Sequence, residues 1–148
     1  MKILRTDGKN HNFGTLVQLL DAELAVRDGS DHDFYHQYNG IDDIKYCVLG
    51  LENDYPIACG AIKKHDDVTM EVKRMYTLPD YRGKGIASQI LTELQHWAKE
   101  MGYLKCVLET GKKQPEAIQL YLKSGYKIIA NYGQYVGVEN SVCFVLVL

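Results

Sequence analysis

The stretch that most constrains this chain is Tyr81-Arg-Gly-Lys-Gly-Ile-Ala87. Two glycines flank a lysine directly after a strand-like run, Val68 to Thr77, and directly before the cleanest helical stripe in the sequence. Leu78-Pro79 ends the strand, since proline cannot donate to a ladder. Ile86, Ile90, Leu91, Leu94, Ala98 and Met101 then recur at helical spacing, and Gly102 is placed to stop the helix. Such a turn lets backbone N–H groups converge on an anion at a helix N-terminus, where the dipole also favours negative charge. A phosphate or pyrophosphate ligand is expected there.

The rest of the chain reads as alternating elements. Ile3 and its neighbours suggest a short first strand. Phe13, Leu16, Val17, Leu20 and Leu24 predict an amphipathic helix over residues 13–27, with Asn12 as its N-cap. The aromatic, polar stretch 28–40 reads as a loop with a short irregular helix. Lys45 to Leu51 and Ile57 to Lys63 read as a hairpin joined at Asn53-Asp54-Tyr55-Pro56, followed by a strand from Thr69 to Thr77. Lys105 to Thr110 predicts a strand and Pro115 to Lys123 a helix with proline in its first turn. Tyr126 to Ala130 and Val142 to Leu148 read as two last strands. This order predicts an α/β domain with a mixed sheet, one domain over residues 1–148.

Bulk properties narrow the partners. A net charge of −2 provides no basic field for nucleic acid. No apolar run reaches the ~18 residues of a membrane span, and Met1 to Asp7 lack the apolar core of a signal peptide. The four cysteines, Cys47, Cys59, Cys106 and Cys143, form no Cys-x-x-Cys pair and sit in apolar runs. They read as small buried hydrophobes in a reducing, cytoplasmic setting.

The glycine turn is neither a Walker A loop nor a dinucleotide fingerprint. Gly-x-x-x-x-Gly-Lys-Ser/Thr is absent, Ser88 stands where the third glycine would be, and the turn follows a meander. Its sequence instead resembles the GNAT superfamily of acyl-CoA-dependent N-acetyltransferases. Arg82, Gly85 and Ala87 match that family's Gln/Arg-x-x-Gly-x-Gly/Ala motif. Glu71 to Pro79 is similar to its central strand, and Leu108-Glu-Thr through Tyr121 to Ser124-Gly-Tyr126 to its second conserved block.

The resemblance implies about seven strands with helices on both faces and two central strands splayed apart around acetyl-CoA. It places the backbone of Met75, Tyr76 and Thr77 along the pantetheine arm. The amides of Arg82, Gly83, Lys84, Gly85, Ile86, Ala87 and Ser88 would hold the pyrophosphate. Gln114 stands where the family often has asparagine. Three residues are implied for chemistry: Glu71 and Glu109 as alternative bases, and Tyr121 as the acid that protonates the leaving sulfur. By strand alternation Glu71, Lys73, Met75 and Thr77 share one face unless a bulge breaks the phase.

The acceptor side is implied to lie between the first helical region and the last loop. Phe34, Tyr35, Tyr132 and Tyr135, with nearby carboxylates, suit a cationic amine. The expected partners are acetyl-CoA and a small amine, with no nucleic acid and no membrane; a homodimer is left open. A protein amine acceptor and a non-catalytic acyl-CoA-binding module are the other readings. No metal is expected, although His32 and His36 sit four apart beside Asp31 and Asp33.

Overall fold

In a computed structural model of the chain, residues 1–29 and 44–148 are described. The order is β1 (Lys2–Thr6), α1 (His11–Asp28), β2 (Tyr46–Glu52), β3 (Tyr55–Asp66), β4 (Thr69–Thr77), α2 (Ile86–Glu100), β5 (Lys105–Gly111), α3 (Pro115–Lys123), β6 (Lys127–Ile129) and β7 (Ser141–Val147). The seven strands form one sheet in the order β1-β2-β3-β4-β5-β7-β6, antiparallel except for the β4–β5 pair.

Local chemistry explains most boundaries. α1 starts two residues earlier than the periodicity predicts, and its N-cap is Asn10, not Asn12. The Asn10 side chain accepts from the Asn12 and Phe13 amides, while Asn12 lies inside the first turn. The β2–β3 hairpin turns on two residues, Asn53 and Asp54, with φ of 50° and 65°. Asn and Asp tolerate that left-handed pair, as a tight hairpin requires. Tyr55 and Pro56 therefore belong to the strand, and the proline sits beside a register shift between Gly50 and Leu51. The irregular helix expected within 28–40, with Phe34, Tyr35, His32 and His36, lies outside the described residues, apart from Asp28 and Gly29 at the end of α1.

The sheet separates two apolar layers. Phe13, Leu16, Val17 and Leu20 of α1 pack on Cys47, Leu49, Cys59, Ala61 and Tyr76. On the other face, Ile86, Ile90, Leu91, Leu94 and Ala98 of α2 pack with Tyr121 of α3 on Val48, Ala58, Ile62, Met70, Val72, Leu108 and Phe144. All four cysteines are buried and free. Burial pushes their thiols up, Cys143 to about 11 and Cys47 and Cys106 to about 12, so they remain protonated at neutral pH. Among the described residues no helix is long and apolar enough to cross a membrane.

Candidate active site

The sheet opens at its centre. β4 pairs with β5 only through Thr69↔Lys105, Met70↔Cys106 and Glu71↔Val107, and beyond Glu71 the two strands part. The gap is a cavity of about 610 Å³, bordered by β4, β5, the 81–88 turn, α3 and the C-terminal half of α1.

A bulge in β4 shapes one wall. The β3–β4 register shifts between Cys59↔Tyr76 and Ala61↔Lys73, so Arg74 and Met75 together stand opposite Gly60. Arg74 carries the extra residue at φ 60°, a left-handed conformation costly for a long side chain. The alternation expected for Glu71, Lys73, Met75 and Thr77 is therefore broken. Met75 turns toward Ile90 and Leu94 of α2, while Arg74 reaches the α1 side and donates through Nη1 to Asp21 Oδ1 at 2.7 Å. Glu71, Lys73 and Arg74 consequently crowd the α1 side of the sheet.

The turn forms one end of the cavity. Gly83 and Gly85 have φ of 77° and 79°, and Gly85 is the N-cap of α2. Among the described residues, the amides of residues 83–88 donate to no other group. They form an unsatisfied cluster of donors at the start of a 15-residue helix, which fits a bound anion. Three details depart from the expectation. The Arg82 amide is already bonded to Pro79 O at 3.2 Å, so the free run begins at Gly83. Its side chain braces the site instead: Nε donates to Thr77 O at 2.8 Å and Nη2 to Glu23 Oε1 at 2.9 Å. That contact occupies the Thr77 carbonyl, one of the backbone groups expected along the cofactor. Lys84 places its ammonium 5.4 Å from the Tyr81 ring centroid and is not among the cavity-lining residues.

Glu71, Glu109, Tyr121 and Gln114 come together on the same cavity, with Met75, Tyr76 and Tyr135. The carboxylates differ in their partners. Glu71 is 8% exposed; its Oε2 accepts from Tyr132 Oη at 2.5 Å, and its Oε1 lies 3.7 Å from Lys73 Nζ. Glu109 Oε2 accepts from Ser141 Oγ at 2.7 Å. Burial raises the Glu109 carboxyl to about 7, opposed by the Ser141 hydrogen bond and by Lys73. Burial lowers the Lys73 ammonium, with Glu71 opposing. Tyr121 is 6% exposed, packs edge-on to Tyr126 at 5.8 Å and tilts against Phe144; burial lifts its phenol well above the ordinary range.

Of the two aromatics expected on the acceptor side, Tyr132 donates to Glu71 and Tyr135 is buried in the cavity wall. Sequence reasoning did not single out Lys73 or Ser141 as site residues. Lys73 was visible beside Glu71 by alternation, whereas Ser141 reaches Glu109 through a contact with no local signature.

The sheet thus parts at its centre, and a donor-rich turn and two carboxylates, Glu71 and Glu109, line the same gap. Residues 15–126 match the Acetyltransferase (GNAT) family, and the chain belongs to that family. The uncharacterized N-acetyltransferase YsnE of Bacillus subtilis is 33% identical over 93 residues, 62% of each chain. The chain spans only 35% to 62% of the length of this and three other curated relatives. A Klebsiella pneumoniae protein assigned as an acyl-CoA N-acyltransferase superposes with a TM-score of 0.84 at 25% identity, covering 99% of this chain and 97% of that one. The PaiA N-acetyltransferase of Thermoplasma acidophilum, solved with coenzyme A, has a TM-score of 0.70 at 18% identity over the full length of both chains, a likeness of fold alone.

Proposed function

We propose that this chain transfers an acetyl group from acetyl-CoA to the primary amine of a small molecule, by direct attack with both substrates bound. The observation that carries the reading is the cavity lined both by Gly83 and Gly85 to Ser88, whose amides are free, and by Glu109, Glu71 and Tyr121. The coenzyme A bound to PaiA and the name of YsnE support the same donor. Acetyl-CoA supplies an activated acyl thioester; everything else falls to the chain.

The amides of Gly83 to Ser88 hold the diphosphate. Glu109 takes a proton from the acceptor ammonium, which has no lone pair until it loses one. A carboxyl at about 7 is half deprotonated near neutral pH and so serves well as a base. Glu71, fixed by Tyr132 and Lys73, attracts the ammonium before that transfer. As the new C–N bond forms and the C–S bond breaks, Tyr121 gives its proton to the sulfur, and the second proton shed by the nitrogen restores the phenol, leaving an amide and a free thiol. Its raised phenol guarantees that the proton is present beforehand. Beside Glu109 the cavity carries Asp28 and Glu71 against Lys73, a local carboxylate excess that favours a cationic acceptor.

The test is acetyl-CoA turnover, followed by thiol release, against a panel of amino acids, polyamines, simple amines and lysine-containing peptides. Small-amine turnover is expected. Turnover with peptides alone would replace the small acceptor by a protein one, and acetyl-CoA binding without turnover of any acceptor would overturn the catalytic reading.

A further inference from the structure

The loop between β6 and β7 touches both carboxylates, from opposite ends. Tyr132, near its start, donates to Glu71 Oε2; Ser141, where β7 begins, donates to Glu109 Oε2. Backbone turns fold the loop locally, with Tyr135 N donating to Tyr132 O, Val138 N to Tyr135 O and Ser141 N to Val138 O. Its start and its end are joined by one side chain. Asn131 Nδ2 lies 3.1 Å from Tyr135 O, 3.0 Å from Val138 O and 3.2 Å from Ser141 O, so one amide gathers three carbonyls of the loop around itself.

We infer that Asn131 is a positioning residue for the reaction: its amide latches the 131–141 loop so that Tyr132 and Ser141 are presented to Glu71 and Glu109 at once. The inference rests on the proposed acetyl transfer only for its effect on rate. The placement follows from geometry. Asn131 precedes Tyr132 directly, and its bond to Ser141 O ties the start of the loop to its end. The latch is supported from outside by Lys112 N, which donates to Asn140 O at 2.7 Å and pins the loop to the end of β5. Tyr135, held inside the loop, is 3% exposed and packs edge-on to Tyr132 at 5.8 Å.

The charge environment makes the latch readable. Glu109 is faced by Glu71 and Lys73 from β4, Asp28 from α1, Tyr121 from α3, Tyr135 from the loop and Cys143 from β7. Of these surroundings, the Ser141 hydroxyl is the hydrogen-bond donor that favours the ionised carboxylate. Ser141 is also held in the β5–β7 ladder opposite Gly111, so loosening the loop frees its hydroxyl to turn away without displacing the strand, and the carboxyl then rises.

The experiment is a titration of Glu109 in the free protein by carbon NMR of labelled glutamate, in wild type, Asn131→Ala, Ser141→Ala and the double variant. Asn131→Ala removes the donors without adding a charge. Both single variants are expected to move the Glu109 midpoint upward by about one pH unit, the equivalent of one hydrogen bond to a charged group. The double variant is expected to add nothing further, because both act through the same contact. An unmoved midpoint in folded Asn131→Ala, or shifts that add in the double variant, would overturn the latch. If Asn131→Ala does not fold, Asn131→Ser, which retains one donor, is read in its place against the same two outcomes. Because the titration needs no substrate, a chain that proves inactive toward every amine would leave this result standing and sink only the acetyl-transfer reading.

Discussion

Met75 Sδ occupies the space that a side chain on Gly60 would need: a Cβ built there meets it at 2.5 Å, with Leu94 Cδ1 at 2.8 Å and Ile90 Cγ2 at 2.9 Å. Gly60→Ala must therefore overpack the layer between β3, β4 and α2, at a cost of about 1–3 kcal/mol. A melting temperature lower by roughly 2–10 °C is expected, with activity reduced because Met75 borders the cleft. Thermal unfolding matching wild type would show that the bulge yields to the methyl.

Glu109→Gln separates activity from stability. As the base, Glu109 should generate the rising limb of kcat/KM between about pH 6 and 8, and the variant should lose that limb together with roughly 10²–10⁴-fold in rate. The folded carboxyl is raised to about 7 from 4.5, so its stabilising protonation is complete below 4.5 and lost as pH rises through 7. Above that the wild type buries a charge at a cost on the order of 3 kcal/mol, which a neutral amide avoids. The variant should be more stable than wild type at pH 8 and indistinguishable at pH 4. Denaturant melts at the two pH values decide this, and a persistent rising limb would eliminate Glu109 as the base.

Tyr121→Phe removes one hydroxyl from a side chain that is otherwise packed against Tyr126 and Phe144. We predict a fall in kcat of about 10²-fold with little change in acetyl-CoA affinity. A thiol ester with a better leaving group should recover part of the loss. Equal losses with both donors would point to a packing role.

Gly83→Ala and Gly85→Ala test the turn. A Cβ at either site meets nothing within 4 Å, so the only cost is a side chain at φ near +80°. That strain, about 1–2 kcal/mol each, should weaken acetyl-CoA binding measured by calorimetry, as the turn relaxes and its amides disperse. Unchanged affinity would remove the turn from the binding site.

Elements with strong local signals were legible in the sequence. The stripe from Ile86 to Ala98 places α2, and Pro115 with the apolar positions to Lys123 bounds α3 to the residue. Gly83 and Gly85 announce the donor-rich turn, and Glu71, Glu109 and Tyr121 do meet at one cavity. What escaped depends on contacts between distant segments. The bulge at Arg74 leaves no mark in a run of strand-forming residues, yet it decides which way Met75 and Arg74 point. Tyr132 reads as an acceptor-side aromatic, and only the fold shows it bonded to Glu71, 61 residues earlier in the sequence. Arg82 reads as an anion ligand, and only the packed structure shows it tied to Thr77 and Glu23. Asn10 outranks Asn12 as a cap because the chain enters the helix from β1 at a place that periodicity cannot fix.

The bulge also has a consequence in chain length. Between two matched pairs, β3 advances two residues, from Cys59 to Ala61, while β4 advances three, from Lys73 to Tyr76. Two ribbons fastened at both ends, one longer than the other, cannot both run straight: the longer one must bow. β5 has already left the ladder two residues earlier, at Glu71, so the bow lies along the open edge of the gap. The surplus is local: between Lys64 and Asp66 it is β3 that carries the extra residue, and from Ala58 to Asp66 the two strands advance equally. One wall of the gap is thus lengthened by a residue without displacing the rest of the ladder.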